Sequence, residues 1–139
     1  MPFSLIPSRL FESYHEITPE LLRHEGITLL LSDLDYTLAP KSVRRPDPAL
    51  RKWISALKAA GIQVMIVSNN RSSARVAEFC EDLKIPYQGH AGKPSIRGLK
   101  SAMARAGADR GCTAMLGDKL LTDMLAANRA GIPAFIVEP

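Results

Sequence analysis

The sequence predicts an α/β domain: a doubly wound parallel sheet of about five strands with helices on both faces, folded as one unit. Three observations carry this prediction. Short apolar runs alternate with amphipathic stretches of about ten residues, the rhythm of strand–helix–strand units. The runs are apolar throughout, as strands buried on both faces are. Glycine, proline or small polar residues punctuate the changes from one period to the other. The 139 residues suffice for one domain with a sizeable core and are too few for two ordinary ones.

Residues 1–17 form an N-terminal arm, with the α/β core expected over 18–139. The arm mixes Phe3, Leu5, Ile6, Leu10, Phe11 and Tyr14 with Pro2 and Pro7, and its only charges are Arg9, Glu12 and Glu16. It either packs on the domain or meets a membrane interface. Thr18-Pro19-Glu20 reads as N-cap, first-turn proline and first-turn acid of a short helix closed by Gly26. The first strand is expected over residues 27–33. Asp47-Pro48 opens the next helix, in which Leu50, Trp53, Ile54 and Leu57 line one face before Gly61 stops it. Trp53 lies on that stripe and is read as core. A second strand is expected over 62–68, and a helix from about Ser72 to Leu83 with Val76, Phe79, Cys80 and Leu83 inward. Residues 86–88 make a short third strand. The loop with His90 and Lys93 leads to a helix starting near Pro94, with Ile96, Leu99 and Met103 on its apolar face. Residues 113–116 form a fourth strand, 121–130 a helix closed by Gly131, and 133–137 the last strand.

The bulk numbers narrow the class. Hydrophobic residues at 46% and charged residues at 23% match soluble globular proteins. No apolar run approaches the ~20 residues of a membrane span, and Met1 to Tyr14 lacks the pattern of a secretory signal. Cys80 and Cys112 have no metal-binding spacing and are expected to be buried thiols of a reducing, cytoplasmic compartment. If the arm meets lipid, the expected place is the inner face of the membrane. The net charge is +4, and the surface becomes more basic still if several aspartates share one site. That favours an anionic partner such as a phosphate, lipid headgroup or nucleic acid, and charge alone does not choose among them. No nucleic-acid partner is expected, and the oligomeric state is left open.

The first strand ends in Asp33-Leu34-Asp35. Two carboxylates there lose solvation and repel each other, so a partner is expected, most simply a divalent cation. Asp-x-Asp after a strand also serves as plain turn chemistry. The pattern gains weight from its repetition. The first four strands each run into polar groups: Asp33, Asp35 and Thr37; Ser68 and Asn69; Lys93; Asp118 and Asp123. In a parallel sheet these ends share one edge, where chemistry gathers. Carboxylates to hold magnesium, hydroxyls and amides for phosphoryl oxygens, and a lysine to offset charge are the parts phosphoryl transfer needs. Taken singly, Thr37 is a turn hydroxyl, Ser68 a helix cap, Lys93 a solvated loop charge and Asp123 a first-turn helix acid.

The ordered set resembles the haloacid dehalogenase (HAD) superfamily. Its four motifs are matched by Asp33-Leu34-Asp35-Tyr36-Thr37, by Ser68, by Lys93, and by Gly117-Asp118 with Asp123. The stretches Ile17-Thr18-Pro19-Glu20, Ile66-Val67-Ser68-Asn69-Asn70, Lys93-Pro94, Gly117 to Asp123 and Asn128-Arg129 are similar to the YqeG-type, IIIA-subfamily group, which is related to phosphatidylglycerophosphate phosphatases. Tyr36 departs from the pattern, standing where a small or amide residue is commoner, and Lys119 stands where glutamine is expected. The resemblance implies a magnesium-dependent phosphatase. Asp33 would be the nucleophile and Asp35 the general acid and base. Magnesium would sit on the Asp33 side chain, the Asp35 backbone carbonyl and Asp118. Thr37, Ser68, Asn69 and Lys93 would bind the phosphoryl group, and Asp123 would orient Lys93 or a metal-bound water.

Neither Leu38 to Ile62 nor Arg71 to Lys93 has room for a separate cap domain, so the site is expected to be capless and open. An open site suits a bulky substrate, with phosphatidylglycerophosphate the expected one. The alternatives are another bulky or soluble phosphoester, a receiver-like phospho-acceptor, and an idle phosphate-binding module. A receiver places its phospho-acceptor aspartate after the third strand, where this chain has Lys93. His15, His24 and His90 lack ligand spacing, and His90 reads as a loop histidine.

Overall fold

The computed structural model describes residues 8–40, 42–67, 74–88, 97–118 and 127–138. Among them six strands form one sheet: β1 (Ser8–Phe11), β2 (Leu29–Ser32), β3 (Gln63–Val67), β4 (Tyr87–Gln88), β5 (Thr113–Gly117) and β6 (Ala134–Val137). Their order is β1-β6-β5-β2-β3-β4, and every pairing is parallel. From β2 the chain winds outward to β3 and β4, then returns to β5 and winds the other way to β6. The direction reverses between β2 and β5, so a crevice is expected beyond the C-terminal ends of those two strands.

The helices are α1 (Pro19–His24), α2 (Pro48–Ala59), α3 (Ala74–Leu83) and α4 (Arg97–Ala106), and residues 127–130 are also helical. Alternate residues of each buried strand face opposite layers. Leu30, Val64 and Ile66 join Leu50, Trp53, Ile54, Leu57, Val76 and Phe79 in the core beneath α2 and α3. Leu29, Leu31, Met65 and Met115 join Leu99, Ala102, Met103 and Ala127 on the other face. All four residues of β2 are buried, which is why this strand reads as a continuous apolar run.

Local chemistry sets the helix ends as expected. Thr18 caps α1 by accepting from the Leu21 N–H at 3.1 Å, and Asp47 caps α2 by accepting from that of Leu50 at 2.7 Å. Gly61 takes φ +80° just after α2, a left-handed turn that glycine adopts without a side-chain clash. Trp53 is core, and its indole N–H donates to the Ile17 carbonyl at 2.8 Å. Cys80 is a buried free thiol, its pKa pushed up to about 12 by burial; Cys112 is also unbridged but, against expectation, only partly buried, because it sits in the turn just before β5.

The N-terminal region is where the structure adds most. Residues Ser8–Phe11 form a sixth strand, pairing with Ala134–Val137 at the sheet edge. Phe11 meets Phe135 edge-on with ring centroids 5.7 Å apart, and Arg9 pairs with Glu25 at 2.7 Å. Tyr14 and Ile17 lie in the core; Leu10, at 73% exposure, faces solvent. This stretch packs on the domain, the first of the two expectations for the arm. The bounds of the remaining strands agree with expectation to within about two residues, ordinary scatter for element ends. No helix among the described residues is long and apolar enough to cross a membrane.

Candidate active site

The candidate edge is built from the end of β2. The Asp33 N–H donates to the Leu116 carbonyl of β5 at 2.9 Å, so the ladder holds Asp33 one residue beyond the strand. The Ser32 hydroxyl donates to the Asp33 carbonyl at 2.8 Å, and the Asp33 carboxylate accepts from the Leu34 N–H at 3.0 Å. Buried Leu34 then anchors a tight turn. Its carbonyl accepts from Thr37, Leu38 and Ala39 at 3.2, 3.0 and 3.3 Å, while the Tyr36 N–H donates to the Ala39 carbonyl at 2.8 Å.

Tyr36 sits in this turn at φ +61°, the left-handed region. There Cβ crowds the following carbonyl, at roughly 1–2 kcal/mol, and asparagine tolerates it better by bonding its own backbone. This gives the departure noted at Tyr36 a physical cost. The ring is 48% exposed and forfeits little packing. Tyr36→Asn should therefore raise stability by about 0.5–1 kcal/mol, seen as a higher Tm. A lower Tm would show that the ring packs more favourably than its exposure implies.

Asp118 follows β5, the strand beside β2, at the reversal of winding. The Thr37 hydroxyl donates to its carboxylate at 3.4 Å, a long bond spanning 81 residues of sequence. Asp33, Asp35, Thr37 and Asp118 therefore converge on one edge, as expected from their places after adjacent parallel strands. Ser68, Asn69, Lys93 and Asp123 lie outside the described residues.

Sequence reasoning missed Arg75, in the first turn of α3. Its Nη1 pairs with Asp35 Oδ1, its Nη2 donates to the Pro40 carbonyl at 2.9 Å, and its Nε donates to that of Val43 at 2.7 Å. The guanidinium also lies 5.7 Å from the Phe79 ring centroid. The sequence carried no signal for it, since an arginine opening an amphipathic helix reads as solvated.

Residues 8–131 match the family model described as a haloacid dehalogenase-like hydrolase. The chain belongs to this family. As a haloacid dehalogenase-like hydrolase it is 34% identical over 134 residues to the probable phosphatase YqeG of Bacillus subtilis, covering 96% of this chain and 77% of that protein. Its fold is similar to the cobalt-bound deoxy-D-mannose-octulosonate 8-phosphate phosphatase of Haemophilus influenzae (TM-score 0.67, 23% identity, 79% of this chain and 69% of that one). It is also similar to a putative subfamily III A hydrolase of Legionella pneumophila (TM-score 0.60, 24% identity, 81% and 66%).

The hydrolase's donors suit a hard cation. Asp33 and Asp118 offer carboxylates and Asp35 a backbone carbonyl, and magnesium takes one or two carboxylates plus substrate oxygens and water. Among the described residues no group of three or more His, Cys, Asp and Glu is placed as an all-protein metal cage. Beside Asp118 a cavity of about 420 Å³ opens at the ends of β1 and β6, with Glu12, Glu16 and Glu138 among its walls. On the opposite flank, Arg45 pairs with Asp82 at 3.0 Å and holds that carboxyl below its ordinary range; Arg44 reaches Glu78 at 4.0 Å.

Proposed function

We propose that this hydrolase is a magnesium-dependent phosphatase acting on phosphate monoesters through an aspartyl-phosphate on Asp33. The observation that carries the reading is that Asp33 and Asp118 follow the paired strands β2 and β5, with Thr37 of the Asp33 turn donating to Asp118. Membership of the family and the likeness to a probable phosphatase support it.

In this reading an Asp33 oxygen attacks phosphorus as the bond to the leaving oxygen breaks, and Asp35 delivers a proton to that oxygen. Asp35 then takes a proton from water as the water oxygen attacks phosphorus. The Asp33–phosphorus bond breaks, and inorganic phosphate leaves. Magnesium on Asp33, Asp118 and the Asp35 carbonyl would offset the charge of the phosphoryl oxygens. Thr37, Ser68, Asn69 and Lys93 would donate to those oxygens, and Asp123 would orient Lys93. Thr37 has one hydroxyl proton and must leave its long bond to Asp118 to do so.

The interval from Leu38 to Gln63 is occupied by a loop and α2, which supports an uncapped site and a bulky substrate. The substrate we propose is phosphatidylglycerophosphate, on the strength of the resemblance and the open edge. Two observations weigh against lipid: Arg45, in the loop past the catalytic turn, is engaged with Asp82 of α3, and Ser8–Phe11, Tyr14 and Ile17 of the arm pack on the domain. The carboxylates beside Asp118 also repel a second anionic group, so a lipid diester would have to lie toward the residue 40–47 loop. A phosphate-release screen with magnesium tests both levels. The panel is aryl phosphates, sugar phosphates and vesicles carrying phosphatidylglycerophosphate. We expect release from an aryl phosphate and faster turnover of the lipid. Faster turnover of a soluble ester would replace the lipid, and no release from any ester would end the phosphatase reading.

A further inference from the structure

The geometry points to Arg75 as the positioning residue for proton transfer by Asp35, an inference that rests on the phosphatase reading above. Three nitrogens of one planar guanidinium are each committed. Nε and Nη2 hold the carbonyls of Val43 and Pro40 at 2.7 and 2.9 Å, and Nη1 holds Asp35 Oδ1. Two backbone acceptors fix the plane of the group, and the Phe79 ring 5.7 Å away backs it. With the plane fixed, the direction of the Nη1 bond is fixed too, so the Asp35 carboxylate is held in one rotation. Oδ1 is occupied by Arg75, and Oδ2 is the oxygen that faces proton transfer to the leaving group and from water.

The assembly also closes the turn. Pro40 and Val43 lie on the segment that leaves the Tyr36–Ala39 turn, and the Asp35–Ala39 bridge returns that segment toward the site. Arg75 therefore ties α3 to the catalytic turn at three points while only 20% of its side chain is exposed. Lysine cannot replace it, because a single ammonium lacks the fork that reaches three acceptors in one plane. Proton transfer depends steeply on alignment, and a displacement of about 1 Å can cost about a hundredfold.

The test is steady-state kinetics of Arg75→Lys and Arg75→Ala on phenyl phosphate and p-nitrophenyl phosphate, with Tm measured alongside. Phenolate is the poorer leaving group and needs the proton more. We expect kcat on phenyl phosphate to fall about ten- to a hundredfold further than on p-nitrophenyl phosphate, with KM within about twofold. Added guanidinium ion should restore part of that difference in Arg75→Ala, since it supplies the missing donors without repairing the chain. Equal losses on both esters, or a change confined to KM, would overturn the inference, whether or not Tm falls. Wild-type protein inactive on both esters would instead fail the phosphatase reading itself.

Discussion

Asp33→Asn should abolish turnover, lowering kcat by roughly three orders of magnitude or more, the scale on which removing a covalent nucleophile acts. The amide oxygen carries no negative charge, so it attacks phosphorus poorly and binds a hard cation weakly. The fold should tolerate the exchange. Asp33 is held by its backbone through Leu116 and Ser32, and the amide oxygen can still accept from the Leu34 N–H. The check is phosphate release from p-nitrophenyl phosphate beside a melting curve. Retention of more than about a tenth of wild-type turnover, barely 1.4 kcal/mol of barrier, would remove Asp33 as nucleophile.

Asp35→Asn is expected to cost about a hundred- to ten-thousandfold, the usual contribution of general acid–base catalysis. The loss should be unequal across substrates. With a good leaving group the first step proceeds without a proton from residue 35, whereas water still lacks its base, so the phosphoryl-enzyme should accumulate. With a poor leaving group the first step itself stalls. Rapid-quench measurement on aryl phosphates of graded leaving-group basicity separates the cases. Uniform loss with no accumulation would leave Asp35 a structural role only. Asparagine keeps an acceptor for Arg75, so the turn should survive the exchange.

What was legible in the chain follows from where its information lies. β2, β3 and β5 are buried on both faces and could be read directly, because a continuous apolar run has few other uses in a soluble domain. Asp33, Asp35 and Asp118 could be read because turns after such strands share an edge. β1 could not. Its Ser-Arg-Leu-Phe stretch shows neither a full apolar run nor strict alternation, Leu10 stays exposed, and its partner β6 lies at the far end of the chain. Arg75 was illegible for a related reason. An arginine opening an amphipathic helix looks solvated, and its acceptors lie 32 to 40 residues away. Charge was illegible in the same way: a net +4 pointed to an anionic partner, yet Arg45 is met within the domain by Asp82 of α3.

The central claim is the covalent step on Asp33, and locating the phosphoryl group tests it most directly. Asp35→Asn protein is mixed with p-nitrophenyl phosphate and magnesium, quenched in acid, digested and mapped by mass spectrometry. A parallel sample is treated with hydroxylamine, which cleaves acyl phosphates and spares phosphoserine and phosphothreonine. The account predicts one hydroxylamine-labile phosphoryl group, on the peptide carrying Asp33 and assigned to that residue by fragmentation. A phosphoryl group on any other side chain, or phosphate release with no enzyme-bound phosphoryl group at any time, would contradict it.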